Sequence, residues 1–150
     1  MKTPILLSAA LLLLAACGNS QPEQPKGPIS EDRSAAFKSM MPDFMTMGKM
    51  VKGEETYEVE KFKQAAATFA ANSKKPFDFF QTDPQGNGEA LPAIWEKPAD
   101  FTAAQQQFEA AVAKLSEAAQ TADLQVIKAA YGEVGASCKS CHDSFRMPKQ

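Results

Sequence analysis

The chain has 150 residues, with 16 Lys and Arg against 18 Asp and Glu, which suits one domain with a single core and leaves a formal charge of −2. That near-neutral balance offers no strongly basic face to neutralise phosphates and argues against nucleic acid as a partner. One His excludes any site built on two or three imidazoles, and three Cys, which form at most one disulfide, exclude a disulfide-stapled miniprotein.

Residues 1–16 read as a signal peptide rather than as part of the fold. Lys2 gives a positive start, and residues 5–16 are apolar apart from Ser8, a run too short to span a bilayer as a helix. The run Leu14-Ala15-Ala16-Cys17 resembles the bacterial lipobox, where processing places lipid on the Cys and cleaves just before it. The alternative is an ordinary secretory signal with an unrelated Cys at the cleavage site. Two or three acyl chains on Cys17 would make a stable membrane anchor. Gly18 is not the Asp that retains lipoproteins at the inner membrane of enteric bacteria, which favours the outer membrane. Residues 18–28 hold three of the ten prolines and no large apolar side chain, so 17–29 are expected to form a flexible tether.

From residue 30 to residue 150 the pattern is helical, without convincing period-two strands. A first segment starts near Ser30 as N-cap, with Glu31 and Asp32 in its first turn. Its apolar positions Phe37, Met40, Met41, Phe44, Met47 and Val51 keep three-and-four spacing, and Gly53 can end it. Pro42 lies inside and should kink it or loosen one turn. A second segment begins around Glu55, weakens between Asn72 and Pro76, and extends a turn through Phe77, Phe79 and Phe80. Residues 82–98 form a long connection with Leu91, Ile94 and Trp95 as anchors.

The third segment opens at Asp100, an N-cap candidate, and carries one clean stripe from Phe101 to Ala119. Asp123 caps the fourth, whose stripe runs Leu124, Ile127, Tyr131, Val134, Cys138, Cys141, Phe145. The short turn between them makes these two helices antiparallel neighbours. The expected fold is all-α, an antiparallel up-down-up-down four-helix bundle.

Cys138-Lys139-Ser140-Cys141-His142 is a C-x-x-C-H motif, the signature of covalent haem c attachment, one per chain. Thiols at i and i+3 lie on one helical face and can add across the two vinyl groups of a porphyrin edge. His142 projects from the same face to bind iron axially. Zinc would need further ligands that this chain supplies only through carboxylates or Cys17. A thioredoxin-like dithiol would sit at a helix start after a strand. A disulfide within one helix has poor geometry.

The spans Ile94-Trp95-Glu96-Lys97-Pro98-Ala99-Asp100-Phe101 and Gly132-Glu133-Val134-Gly135-Ala136-Ser137-Cys138-Lys139-Ser140-Cys141-His142, with the Phe108 to Ala119 stripe between them, resemble the cytochrome c prime group of class II cytochromes c. The resemblance covers residues 30–146 and implies the first helix running antiparallel to the fourth, its early turns facing the iron. It implies that Arg33 pairs with a haem propionate and that Phe37, four residues on, lies over the distal face. Phe37 has no lone pair, which implies five-coordinate iron; Met40 or Met41 as sixth ligand is the rival. Arg146, four residues past His142, falls on the proximal side. The implied protein faces the periplasm and binds a small diatomic gas, nitric oxide foremost, against nitrosative stress. Its implied partners are a periplasmic electron donor and a second copy in a homodimer. The alternatives are a six-coordinate electron-transfer cytochrome and a zinc or dithiol lipoprotein without haem. Gas binding or electron transfer is expected rather than enzymatic turnover. Tyr131 and Trp95 read as core.

Overall fold

The computed structural model describes residues 24–148. The signal segment, Cys17 and the start of the expected tether lie outside the described residues. The elements are α1 (Pro28–Lys52), α2 (Val59–Ser73), a 3-10 turn (Lys75–Phe79), a one-turn α3 (Ala93–Glu96), α4 (Pro98–Thr121) and α5 (Leu124–Phe145). Contacts run α1 to α2, α2 to α4, α4 to α5 and α5 back to α1, which closes a ring of four long helices. The all-α four-helix bundle stands as expected; α3, inside the long connection, was not anticipated.

The helix starts depart from the sequence reading in an instructive way. α1 begins at Pro28 with Gly27 as N-cap, and no side chain of its own caps it. Proline at the first helical position removes an N–H that would have had no partner. Ser30 lies inside the first turn, where its hydroxyl donates to the Gly27 carbonyl at 2.9 Å. The orphan Ser30 N–H is instead taken at 2.9 Å by Oδ2 of Asp83, 53 residues away. Burial pushes the Asp83 carboxyl up, but the N–H groups of Ser30, Gln85 and Ile29 and the Arg33 charge outweigh it and hold it below the usual carboxylate range.

The segment before α1 is fastened as well. Gly27 N–H donates to Gly86 O and Gly88 N–H to Pro25 O, both at 2.9 Å, and Lys26 bridges Asn87. Gly86, at φ 137°, brings its Cα so near that a Cβ there would lie 2.2 Å from the Pro25 carbonyl oxygen. The expected tether therefore stops short of residue 25, because its last residues pair with the long connection.

α1 runs through Pro42 as one helix and ends on Gly53 at φ 77°, the left-handed cap expected there. α2 starts at Val59, later than Glu55, whose carboxylate is held by Lys49 and Lys61. α4 takes Lys97 as N-cap and Pro98 in its first position, so Asp100 falls in the first turn, where a negative charge still favours the helix dipole. Asp123 caps α5 as read, accepting from Gln125 N–H at 2.8 Å and Val126 N–H at 3.4 Å.

The core falls into two clusters. The main one includes Met47, Phe62, Phe69, Leu115, Ile127 and Val134, all essentially inaccessible. A smaller one at one end of the bundle is Ile94, Phe101 and Phe145, with Trp95 and Phe80 against it. Trp95 is fixed there by its indole N–H, which donates to the Phe80 carbonyl at 2.8 Å.

The Asp83 cap predicts a pH signature. A depressed folded pKa gives stability that is present above the unfolded value, near 4, and lost as pH falls through the folded one. Asp83→Asn should lower the thermal midpoint at pH 7, and the gap from the native protein should shrink below about pH 4. Melts across pH 3–7 check this; a gap independent of pH would remove the charged cap.

Candidate functional site

The C-x-x-C-H motif occupies the last two turns of α5. Val134, Cys138, Cys141 and Phe145 follow one another at steps of four, three and four residues, so the thiols share the inward face with two buried neighbours. Cys138 packs against the main cluster and Cys141 against the terminal one, which places the pair across the seam between them. Both are free thiols and half-buried. Burial pushes both up, Cys138 to about 11 with Cys141 adding to the shift. Such thiols stay neutral at pH 7, the opposite of the low-pKa thiolate a dithiol oxidoreductase needs.

His142 is exposed and borders an open cleft of about 270 Å³ with Asp143, Arg146, Met147 and Pro148. Among the described residues no three His, Cys, Asp or Glu side chains converge to hold a metal ion. The zinc reading finds no ligand set there.

Aromatic rings fill the bundle beside the thiols. Phe37, half-buried on α1, stands edge-on to Phe77 at 6.1 Å and to Phe80 at 6.2 Å, and those two rings stack at 5.9 Å. Phe80 meets Phe101 at 4.7 Å, and Phe101 meets Phe145 at 5.3 Å. Phe77 packs against both core clusters, so the rings and the thiols line the same seam.

Arg33, one turn before Phe37, is only 5% exposed. Its Nη1 donates to Phe79 O at 2.9 Å and its Nη2 to Asn87 O at 2.6 Å, with the guanidinium 4.9 Å from the Phe80 ring centre. Burial lowers its pKa and the Asp83 charge opposes that shift. Of its five N–H donors, these two contacts leave others for an anionic group. Met40 is buried in the main cluster, whereas Met41 is 40% exposed and faces outward. Tyr131 is core, stacked on Phe44 at 4.4 Å with its hydroxyl donating to the Phe44 carbonyl.

Arg146 closes the site on the side of His142. Its Nε donates to Glu89 Oε2 at 2.6 Å and its Nη2 reaches the same oxygen. Its backbone bridges Ala90, Leu91 N–H donates to Phe145 O at 3.0 Å, and Met147 N–H to Glu89 O at 2.8 Å. Sequence reasoning brought Cys138, Cys141, His142, Arg33 and Phe37 to one end of the bundle but missed Asp83 and Glu89. It took Phe77 and Phe80 only as a helix extension. Asp83 and Glu89 act on partners 53 and 57 residues away, and no local pattern announces them.

Comparison with known proteins places the fold in one family. The family described as Cytochrome C' matches residues 29–146. The chain is 38% identical over 117 residues to the cytochrome c' of Alcaligenes xylosoxydans xylosoxydans, covering 78% of this chain and 91% of that protein. It is also 38% identical to the cytochrome c' of Rubrivivax gelatinosus over 125 residues, 82% of this chain and 97% of that one. A nitric oxide complex of a point mutant of cytochrome c prime from Alcaligenes xylosoxidans superposes with a TM-score of 0.76 at 37% identity, over 81% of this chain and 94% of that one.

The Glu89–Arg146 pair should be a local tie rather than a pillar of the fold. Glu89→Gln should speed hydrogen exchange at the Leu91 and Met147 amides while lowering global stability by less than about 1 kcal/mol, as for exposed ion pairs generally. Unchanged exchange at both amides would show that the backbone bonds hold without the charges.

Proposed function

The chain belongs to the cytochrome c prime family, whose members are periplasmic and carry covalently bound haem c, and from that premise we propose a lipid-anchored protein of the periplasm that binds a small diatomic gas, nitric oxide foremost, in protection against nitrosative stress. The observation that carries this reading is Phe37. It is the residue on the early turns of α1 that meets the ring-lined seam, and it has no atom to offer a metal.

The residues present fit the cofactor. Two uncommitted thiols, three apart on one helix face, turn toward an interior of flat apolar rings. Cys138 and Cys141 would hold the haem through thioether bonds, and His142 would be its iron ligand. When bound, the haem would supply a redox-active iron able to take up a gas. Arg33 would use its remaining donors on a propionate, a charge-assisted contact in a place with little water. Arg146, pinned to Glu89, would bound the His142 side.

Phe37 excludes water from the distal side and presents neither a lone pair nor an N–H or O–H donor. A gas that needs a hydrogen-bond donor finds none on Phe37, whereas nitric oxide requires none. The solved relative with nitric oxide bound supports this choice of ligand. The periplasmic setting supplies an electron donor to keep the protein reduced. Residues 1–16 would direct export and Cys17 would carry the lipid, with the outer membrane favoured.

Three measurements decide the reading. The reduced holoprotein should give a pyridine haemochrome of c type and bind nitric oxide; a ferric spectrum with a methionine-to-iron band and no gas uptake would sink it. Phe37→Ala should then accelerate carbon monoxide and nitric oxide association by roughly tenfold or more, in keeping with the loss of a large guarding ring. For the anchor, Cys17→Ser should move the protein from the membrane fraction to the soluble periplasmic fraction, and membrane retention of that variant would refute lipidation.

A further inference from the structure

We infer that Arg33 and Phe80 form a positioning unit that sets how far Phe37 can open the distal side, a role distinct from any contact Arg33 makes with a propionate. The inference rests on the gas-binding reading and deepens it. Arg33 and Phe37 project from successive turns of one face of α1, and Phe80 is wedged against both: the guanidinium lies 4.9 Å from its ring centre and the Phe37 ring stands edge-on at 6.2 Å. Phe80 cannot retreat. Arg33 grips the Phe79 carbonyl just before it, Trp95 grips its own carbonyl, and Phe77 stacks on its ring.

The chemistry favours such a unit. A guanidinium over an aromatic face gains most when both are shielded from water, and Arg33 is buried. Its planar fork reaches the Phe79 and Asn87 carbonyls while its central carbon lies 4.9 Å from the ring centre, an arrangement Lys could not reproduce. Asp83, bonded from the connection to the start of α1, supplies the opposing charge that keeps the cation tolerable there. Phe37 would therefore swing only as far as Phe80 yields, and Phe80 yields only if Arg33 lets go.

The test is a double-mutant cycle on the full-length holoprotein with Phe80→Leu, Arg33→Gln and the pair, alongside Phe37→Ala. Carbon monoxide association is read by flash photolysis on the reduced protein, and urea midpoints are read on the same set. Each single variant should raise the association rate by roughly two- to tenfold, the rate equivalent of one ring contact. The pair should exceed the larger single by little, and urea midpoints should show the same coupling. Independent effects, each multiplying the other, would reduce Arg33 to a propionate contact and overturn the inference. So would Phe80→Leu rates equal to native while Phe37→Ala responds. If Phe80→Leu fails to fold, Phe80→Trp carries the test, since a larger ring should slow association, and native rates there also overturn it. A native protein that takes up no gas defeats the gas-binding reading itself, and the inference falls with it.

Discussion

Neither Gly27 nor Pro28 can satisfy the N–H groups at the start of α1, so a carboxylate from elsewhere must reach them, and Asp83 does so from a connection more than fifty residues away. That single contact ties sequence-distant parts of the chain and decides where the 80–92 connection lies. Once it lies there, the carbonyls of Phe79 just before it and of Asn87 within it meet Arg33, its glycines can approach the segment at 25–27, and its Glu89 reaches Arg146 past the motif. The connection thus clasps the first turns of α1 to the last turn of α5. Here charge and backbone hydrogen bonds, rather than an apolar seam, set where the chain runs.

The division of labour between apolar and charged groups follows from burial. A buried cation is tolerated only with a nearby anion and enough acceptors. Arg33 has both in Asp83 and two carbonyls. Arg146 and Glu89, each partly exposed, need less and fix the chain rather than stabilise the fold. Cys138 and Cys141 respond to the same burial by staying protonated. One end of the bundle therefore holds a neutral dithiol against rings, with the buried Arg33 cation set on one of those rings and balanced by Asp83.

What the sequence made legible was whatever repeats or acts locally. The α4 stripe from Phe101 to Ala119 and the α5 stripe through Val134 needed only helical spacing, and Asp123 capped the residues just after it. The C-x-x-C-H motif is local by construction and was found whole. Ser30 and Asp100 failed as caps for a common reason. Both helices start two residues earlier on a proline, which needs no donor satisfied and shifts each candidate inside the first turn. The remote contacts of Asp83 and Glu89 were invisible because a sequence shows which residues could bond, not which distant N–H or guanidinium they will meet.

The aromatic seam gives the reason these failures cluster at the site. A bundle core packed only with interlocking aliphatics would close tightly around itself. Here Phe37, Phe77, Phe80 and Phe101 meet mostly edge-on or tilted, and flat rings in such contact leave planar surfaces that another flat apolar group can share. Rings of that kind do not lock one another by shape as branched side chains do, so their placement must come from outside the core. It comes from backbone carbonyls held by Arg33 and Trp95, and these are the long-range contacts that local pattern cannot disclose. The features hardest to read in the sequence are thus the ones that position these rings.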